Sequence, residues 1–341
     1  MKDLKKDGII LGIITAVVLF LILKDDFSNV MELLLKANLL WILMAILMEA
    51  LTITFQALSF YQIIKSYKSN YRFSSVLKLM IVTKFFNGIT PFSTGGQPLQ
   101  VYMLKKEGIR ITKATNMIIQ NFILYQMALV TYGIIAIGLN YRFHLFSKVP
   151  VLRRLILLGF AINTAIVVLL AVISFSNKFN KFCVNKGIWL LEKLHIVKDR
   201  QKQEEKWEEK CNDFHEGATY LINNKMLCFK GYLYNLVSLT ANYITPLFVI
   251  WALANTTNIA NVNPMTTIVS SAYILIIGSF VPIPGASGGI EYGYMRFFGN
   301  FISGTLLTAS LLIWRFVTYY LPMVIGGIIF STHLRKGESK L

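Results

Sequence analysis

The sequence predicts an all-α, polytopic membrane protein made of two inverted repeats, with about six full spans and two Pro/Gly-broken, re-entrant hairpins. Three observations predict it. Of 341 residues, 55% are hydrophobic and 15% charged, and the mean hydropathy is +0.56, well above the range of soluble domains. Apolar runs near the roughly 20 residues needed to cross a bilayer recur along the chain. Two of the apolar regions are broken at corresponding places by Pro and paired Gly.

Taken in order, the first element is "GIILGIITAVVLFLIL" from Gly8. It has a basic head and a short apolar core, but no small-x-small cleavage site follows, so it reads as an uncleaved first span, Gly8–Leu23. Full spans follow at Ala37–Ile64, Ala114–Asn140, Leu155–Phe175, Gly231–Ala254 and Gly304–Phe330. The broken regions are 74–104 and 265–303. The first repeat is then 1–140 and the second 141–330, with a polar insert at 176–230 and a tail at 331–341. The insert contains "DRQKQEEKWEEKCNDFHEG", mixed in charge and helical in character, and reads as a solvated connector on the cytoplasmic side or a partner-docking segment.

Charge sets the orientation. Lys and Arg outnumber Asp and Glu by 34 to 17. The excess lies between apolar runs, which fits anionic lipid rather than nucleic acid. With both termini cytoplasmic and each broken region entering and leaving on one side, the cytoplasmic segments hold 24 basic residues and the outer ones 6. The segment 141–154, with Arg142, Lys148, Arg153 and Arg154, runs against this pattern. Three cysteines without paired spacing and four scattered histidines point away from a metal site, and no cofactor is expected. No G-x-x-x-x-G-K-[ST] occurs, so hydrolysis of ATP by this chain is not expected.

The two breaks, "TPFSTGGQP" (Thr90–Pro98) and "IPGASGGIE" (Ile283–Glu291), share P-x-x-x-G-G with a hydroxyl before the glycines, 193 residues apart. A third P-x-x-x-G-G, Pro322–Gly327, lacks the hydroxyl. The same offset carries Ala37–Ile64 onto the Gly231 span and Ala114–Asn140 onto the Gly304 span. Inverted repeats with paired interrupted segments are a transporter signature. Broken backbone cannot face lipid and is tolerated only inside protein or along a wet cavity. Helix N-termini at such breaks offer N–H donors to phosphate. The candidate head-group residues are therefore Pro91, Ser93, Thr94, Gly95, Gly96 and Gln97 at the first break, and Pro284, Ser287, Gly288, Gly289 and Glu291 at the second. Lys84 and Asn87 precede the first break, while Arg315, with Tyr319 one turn on, lies mid-span. A charge at membrane depth is costly and rarely idle. Arg315 either pairs with Glu291 or binds a lipid phosphate that Glu291 tunes, and Lys84 either works in the same way or snorkels. Glu49 and Gln56 are isolated and fit inter-helix hydrogen bonds as well as function.

"FNGITPFSTGGQPLQVYML", "VPIPGASGGIEYGYMRFFG" and "LLIWRFVTYYLPMVIGG" together resemble the membrane domain of the lysylphosphatidylglycerol synthase family, which includes multiple peptide resistance factor. The likeness covers nearly the whole chain. It implies a bacterial-type plasma-membrane protein that handles phospholipid, with a part in resistance to antimicrobial peptides. In the full-length relatives a soluble C-terminal domain transfers lysine or alanine from aminoacyl-tRNA to phosphatidylglycerol. Here only "STHLRKGESKL" follows Phe330, so the flippase-like role is expected to carry over and the aminoacyl transfer is not. The leading expectation is a flippase or scramblase for a phospholipid, driven downhill or by an ion gradient, with Glu291 the proton-sensitive group. The rivals are a phosphatidylglycerol lysyltransferase and an accessory subunit of a separate lipid synthase or transferase.

Overall fold

The computed structural model describes residues 27–146, 150–175, 215, 219–221, 223–254, 262–279 and 281–338. The first predicted span and most of the 176–230 insert lie outside them.

The described elements are all helical: α1 Phe27–Leu35, α2 Leu39–Tyr67, α3 Phe73–Ile89, α4 Gly96–Lys106, α5 Ile111–Phe143, α6 Pro150–Phe175, α7 Lys225–Leu253, α8 Pro264–Gly278, α9 Gly289–Phe298, α10 Gly304–Arg315 and α11 Leu321–Glu338. Among the described residues, four continuous helical stretches are long and apolar enough to cross a membrane: Leu39–Tyr67, Ile111–Phe143, Lys225–Leu253 and Gly304–Thr332. They match four of the predicted spans. The fifth, at Leu155–Phe175, is helical within α6. Helix α7 starts at Lys225, so the last six residues of the 176–230 segment, "KMLCFK", are helical and run on without a break into the predicted Gly231–Ala254 span.

Helices α2 and α7 form the centre. They run antiparallel along their whole length, as the contacts from one end to the other require. Asn38 N–H donates to the Ala252 carbonyl at 2.8 Å. Asn242 Nδ2 reaches Glu49 Oε2 at 3.4 Å. Thr52 and Ser238 exchange hydroxyl-to-carbonyl bonds of 3.4 and 3.0 Å. Asn235 Nδ2 donates to Ser59 Oγ at 2.8 Å, and Gln62 Nε2 to the Leu227 carbonyl at 3.2 Å. Between apolar helices in lipid there is little hydrophobic drive, so such polar contacts and small residues (Ser59, Gly231, Ser238) supply the adhesion.

Each broken region is a helix, a tight turn and a shorter helix folded back on it. In the first, α3 and α4 are joined by a 3₁₀ turn at Pro91–Ser93, and Gln100 Nε2 donates across to Thr83 Oγ1 at 3.1 Å. Its outer ends are tied together, since Lys68 Nζ, just before α3, donates to the carbonyl of Glu107, just after α4, at 2.7 Å. Burial and the nearby Glu107 carboxylate push the Tyr71 phenol at this closure up to about 12. In the second region, α8 and α9 flank a 3₁₀ turn at Pro284–Ala286. Asn263 caps α8 in a reciprocal pair with Thr266. The two turns lie against each other.

The last stretch serves two partners. Its α10 part packs on α9, with Tyr294 stacked on Trp314 at 4.9 Å and bonded to Ser310 at 3.1 Å. Its α11 part packs on α3, where Gly326 meets the Ile81 backbone and Phe86 meets Phe330 at 4.9 Å. Between them lies one wide π turn, Phe316–Tyr320, closed by Leu321 N–H donating to the Phe316 carbonyl.

Candidate functional site

The two turns share a backbone conformation that most sequences avoid. Phe92 and Ser93 both have φ of +54°, and Gly285 and Ala286 have +64° and +51°. These pairs are 193 residues apart, the offset of the sequence motif. Left-handed conformation costs an ordinary L-residue about 1–2 kcal/mol, so Phe92, Ser93 and Ala286 are held in strain by what surrounds them.

The surroundings differ. At the first turn Pro91, Phe92, Ser93, Thr94 and Gln97 are exposed. The amides behind it are capped from within: Gly95 N–H donates to Thr90 Oγ1 and Gly96 N–H to Asn87 Oδ1, both at 2.8 Å. Asn87 is thus a cap for the second helix, and its amide oxygen occupies the donor that the sequence offered to phosphate. Gly96 is required here because a Cβ would collide with the Asn87 side chain. Asn87→Ala is expected to cost about 1 kcal/mol, the usual worth of a helix cap, read as a lowered thermal midpoint in detergent. An unchanged midpoint would mean that the cap does not hold the turn.

At the second turn Gly285, Ala286 and Ser287 are buried, and the Ser287 hydroxyl donates to the Pro284 carbonyl at 3.0 Å. Glu291 and Arg315 are 6% and 5% exposed and form a direct pair. Arg315 Nε and Nη2 reach Glu291 Oε1 at 2.7 and 2.6 Å. Nη2 also donates to the Gly285 carbonyl at 3.0 Å, and the guanidinium lies over the Tyr319 ring at 4.7 Å. The other Glu291 oxygen accepts from Gly288 N–H at 2.6 Å. Of the two roles open to Arg315, the geometry has the ion pair. Tyr319 reaches across to the first half and donates to the Gly88 carbonyl at 2.9 Å.

Lys84 does not join the turns. Its Nζ is 3.1 Å from Glu49 Oε1, and Glu49, 4% exposed, also takes the bond from Asn242. Sequence reading left Glu49 isolated and passed over Asn242. The available signal was the offset itself, since 49 and 242 are 193 apart and mark where equivalent helices cross. Among the described residues no group of three or more His, Cys, Asp or Glu could hold a metal ion.

The family described as the lysylphosphatidylglycerol synthase TM region matches residues 9–326. The chain belongs to that family. Relatives include a UPF0104 membrane protein of Archaeoglobus fulgidus, 24% identical over 274 residues and covering 77% of both chains. A UPF0104 membrane protein of Pyrococcus horikoshii is 24% identical over 333 residues, covering 94% of this chain and 95% of the relative. The matched region of the lysylphosphatidylglycerol synthase TM family takes in both turns, the Glu49–Lys84 pair and the Glu291–Arg315 pair. The protein is a multi-pass membrane protein of that family.

Proposed function

We propose that this protein moves a phospholipid between leaflets, with the head group passing the exposed first turn and the acyl chains remaining in lipid. In this reading the halves are inverted repeats and the broken regions are re-entrant. The antiparallel crossing of α2 and α7, which correspond under the 193-residue offset, supports inversion. The bond from Lys68 to the Glu107 carbonyl supports a first hairpin that enters and leaves on one side. The termini then lie in the cytoplasm. The family name supports a lipid related to phosphatidylglycerol as the substrate class.

The observation that carries the reading is the meeting of two strained turns, only one of which presents polar side chains outward. Ser93 and Gln97 offer a hydroxyl and an amide to a phosphodiester, while the buried Glu291–Arg315 pair holds the partner turn in place. The test is transbilayer movement of labelled phosphatidylglycerol in proteoliposomes. Hydrogen bonds to a charged group are worth about 1.5–3 kcal/mol, so Ser93→Ala with Gln97→Ala should slow movement at least about tenfold. Wild-type vesicles no faster than empty ones, with or without a proton gradient, would overturn the proposal.

A further inference from the structure

Away from the turns, the faces of α2 and α7 at one end of the pair line an open groove of about 430 Å³. Its lining includes Leu58, Tyr61, Lys65, Ser66, Lys230 and Tyr234. No acidic residue lines it, and neither lysine has an acidic partner among the described residues. Lys65 Nζ lies 5.6 Å from the Tyr61 ring centre, and Tyr234 leans on Phe55 at 6.0 Å. Gln62 Nε2, bonded to the Leu227 carbonyl, fixes the floor. A leucine, two tyrosines and two lysines at a span terminus are the chemistry of the bilayer interface, where an anionic head group meets its acyl chains.

The opposite end of the same helix pair provides a comparison within one molecule. The 193-residue offset carries Ala37 onto Lys230, Trp41 onto Tyr234 and Leu58 onto Trp251. There Trp41 packs on Trp251 at 5.0 Å and on Phe248 at 5.9 Å. The nearby Lys36 is paired with Glu32 at 2.5 Å. One end is thus closed by aromatic rings, and the equivalent end is open and carries two lysines.

We infer that the Lys65–Lys230 groove binds the phosphate of an anionic glycerophospholipid from the bilayer. This site is separate from the turns and does not require that lipid be moved. The test is native mass spectrometry of the full chain released from micelles doped with phosphatidylglycerol or phosphatidylcholine. Wild type should retain phosphatidylglycerol in preference. From the attraction of a basic residue for anionic lipid, Lys65→Ala with Lys230→Ala should lower that preference roughly thirtyfold. Lys65→Arg with Lys230→Arg should keep it. If the double alanine variant does not fold, Lys65→Gln and Lys230→Gln singly should each remove about half of the logarithm of the preference. A wild type without preference, or alanine variants that keep it, would overturn the inference. Lipid movement is scored separately in the same variants. Binding without movement keeps this site and removes the proposed function, and movement without a binding difference does the reverse.

Discussion

Arg315→Ala is expected to destabilise the protein by about 3–5 kcal/mol, the loss typical when one partner of a buried ion pair is removed. The alanine leaves Glu291 charged in an apolar interior, with only Gly288 N–H to answer it. It also strips the Gly285 carbonyl of its donor. Thermal unfolding in detergent should show a large drop in midpoint and a poor yield. Arg315→Lys keeps the charge but cannot present two nitrogens to the carboxylate in one plane, so it should recover only part. Arg315→Met with Glu291→Gln removes both charges and should recover most of the loss. An Arg315→Ala protein that unfolds at the wild-type temperature would show that the pair is not a clamp. Loss of lipid movement in Arg315→Ala alone therefore reports collapse of the second turn as readily as loss of a head-group contact. The exposed residues of the first turn are the better probes.

Gly285→Ala should be severely damaging for a single added methyl. Its φ of +64° costs an alanine about 1–2 kcal/mol. The added Cβ would fall inside the Tyr319 phenol, and overpacking of that kind adds about 1–3 kcal/mol. The two costs have separate remedies. Tyr319→Ala in the same chain makes room for the methyl but leaves the backbone penalty, so the double variant should be more stable than the sum of the singles predicts. A strictly additive cycle, measured as thermal midpoints in detergent, would mean that Tyr319 does not press on this turn.

Much of the fold was legible because hydrophobic length and Pro/Gly placement are local properties. "PFSTGG" and "PGASGG" marked both turns, and the 193-residue spacing between the motifs is also the spacing between the left-handed pairs Phe92–Ser93 and Gly285–Ala286. Side-chain partners are not local. Lys84 and Glu49 are 35 residues apart and on different helices, so nothing in either neighbourhood announces the pair. Asn87 and Thr90 were legible as polar residues before a break. That they fold back to cap Gly96 and Gly95 depends on the turn's own path, which motif spacing does not specify. Arg315 and Glu291 were close enough in pattern to suggest pairing, and the structure shows them as a buried pair.

The wide turn at Phe316–Tyr320 has a consequence for chain length. One extra residue in a helix rotates everything beyond it by about 100° relative to an unbroken helix. Upstream, the register of Ser310 and Trp314 suits α9. Downstream, the register of Gly326 and Phe330 suits α3 in the other half. A single helical phase could not address both neighbours. A one-residue deletion here would therefore swing the whole distal segment off its partner, so the length of this stretch is constrained as well as the identity of Tyr319 within it.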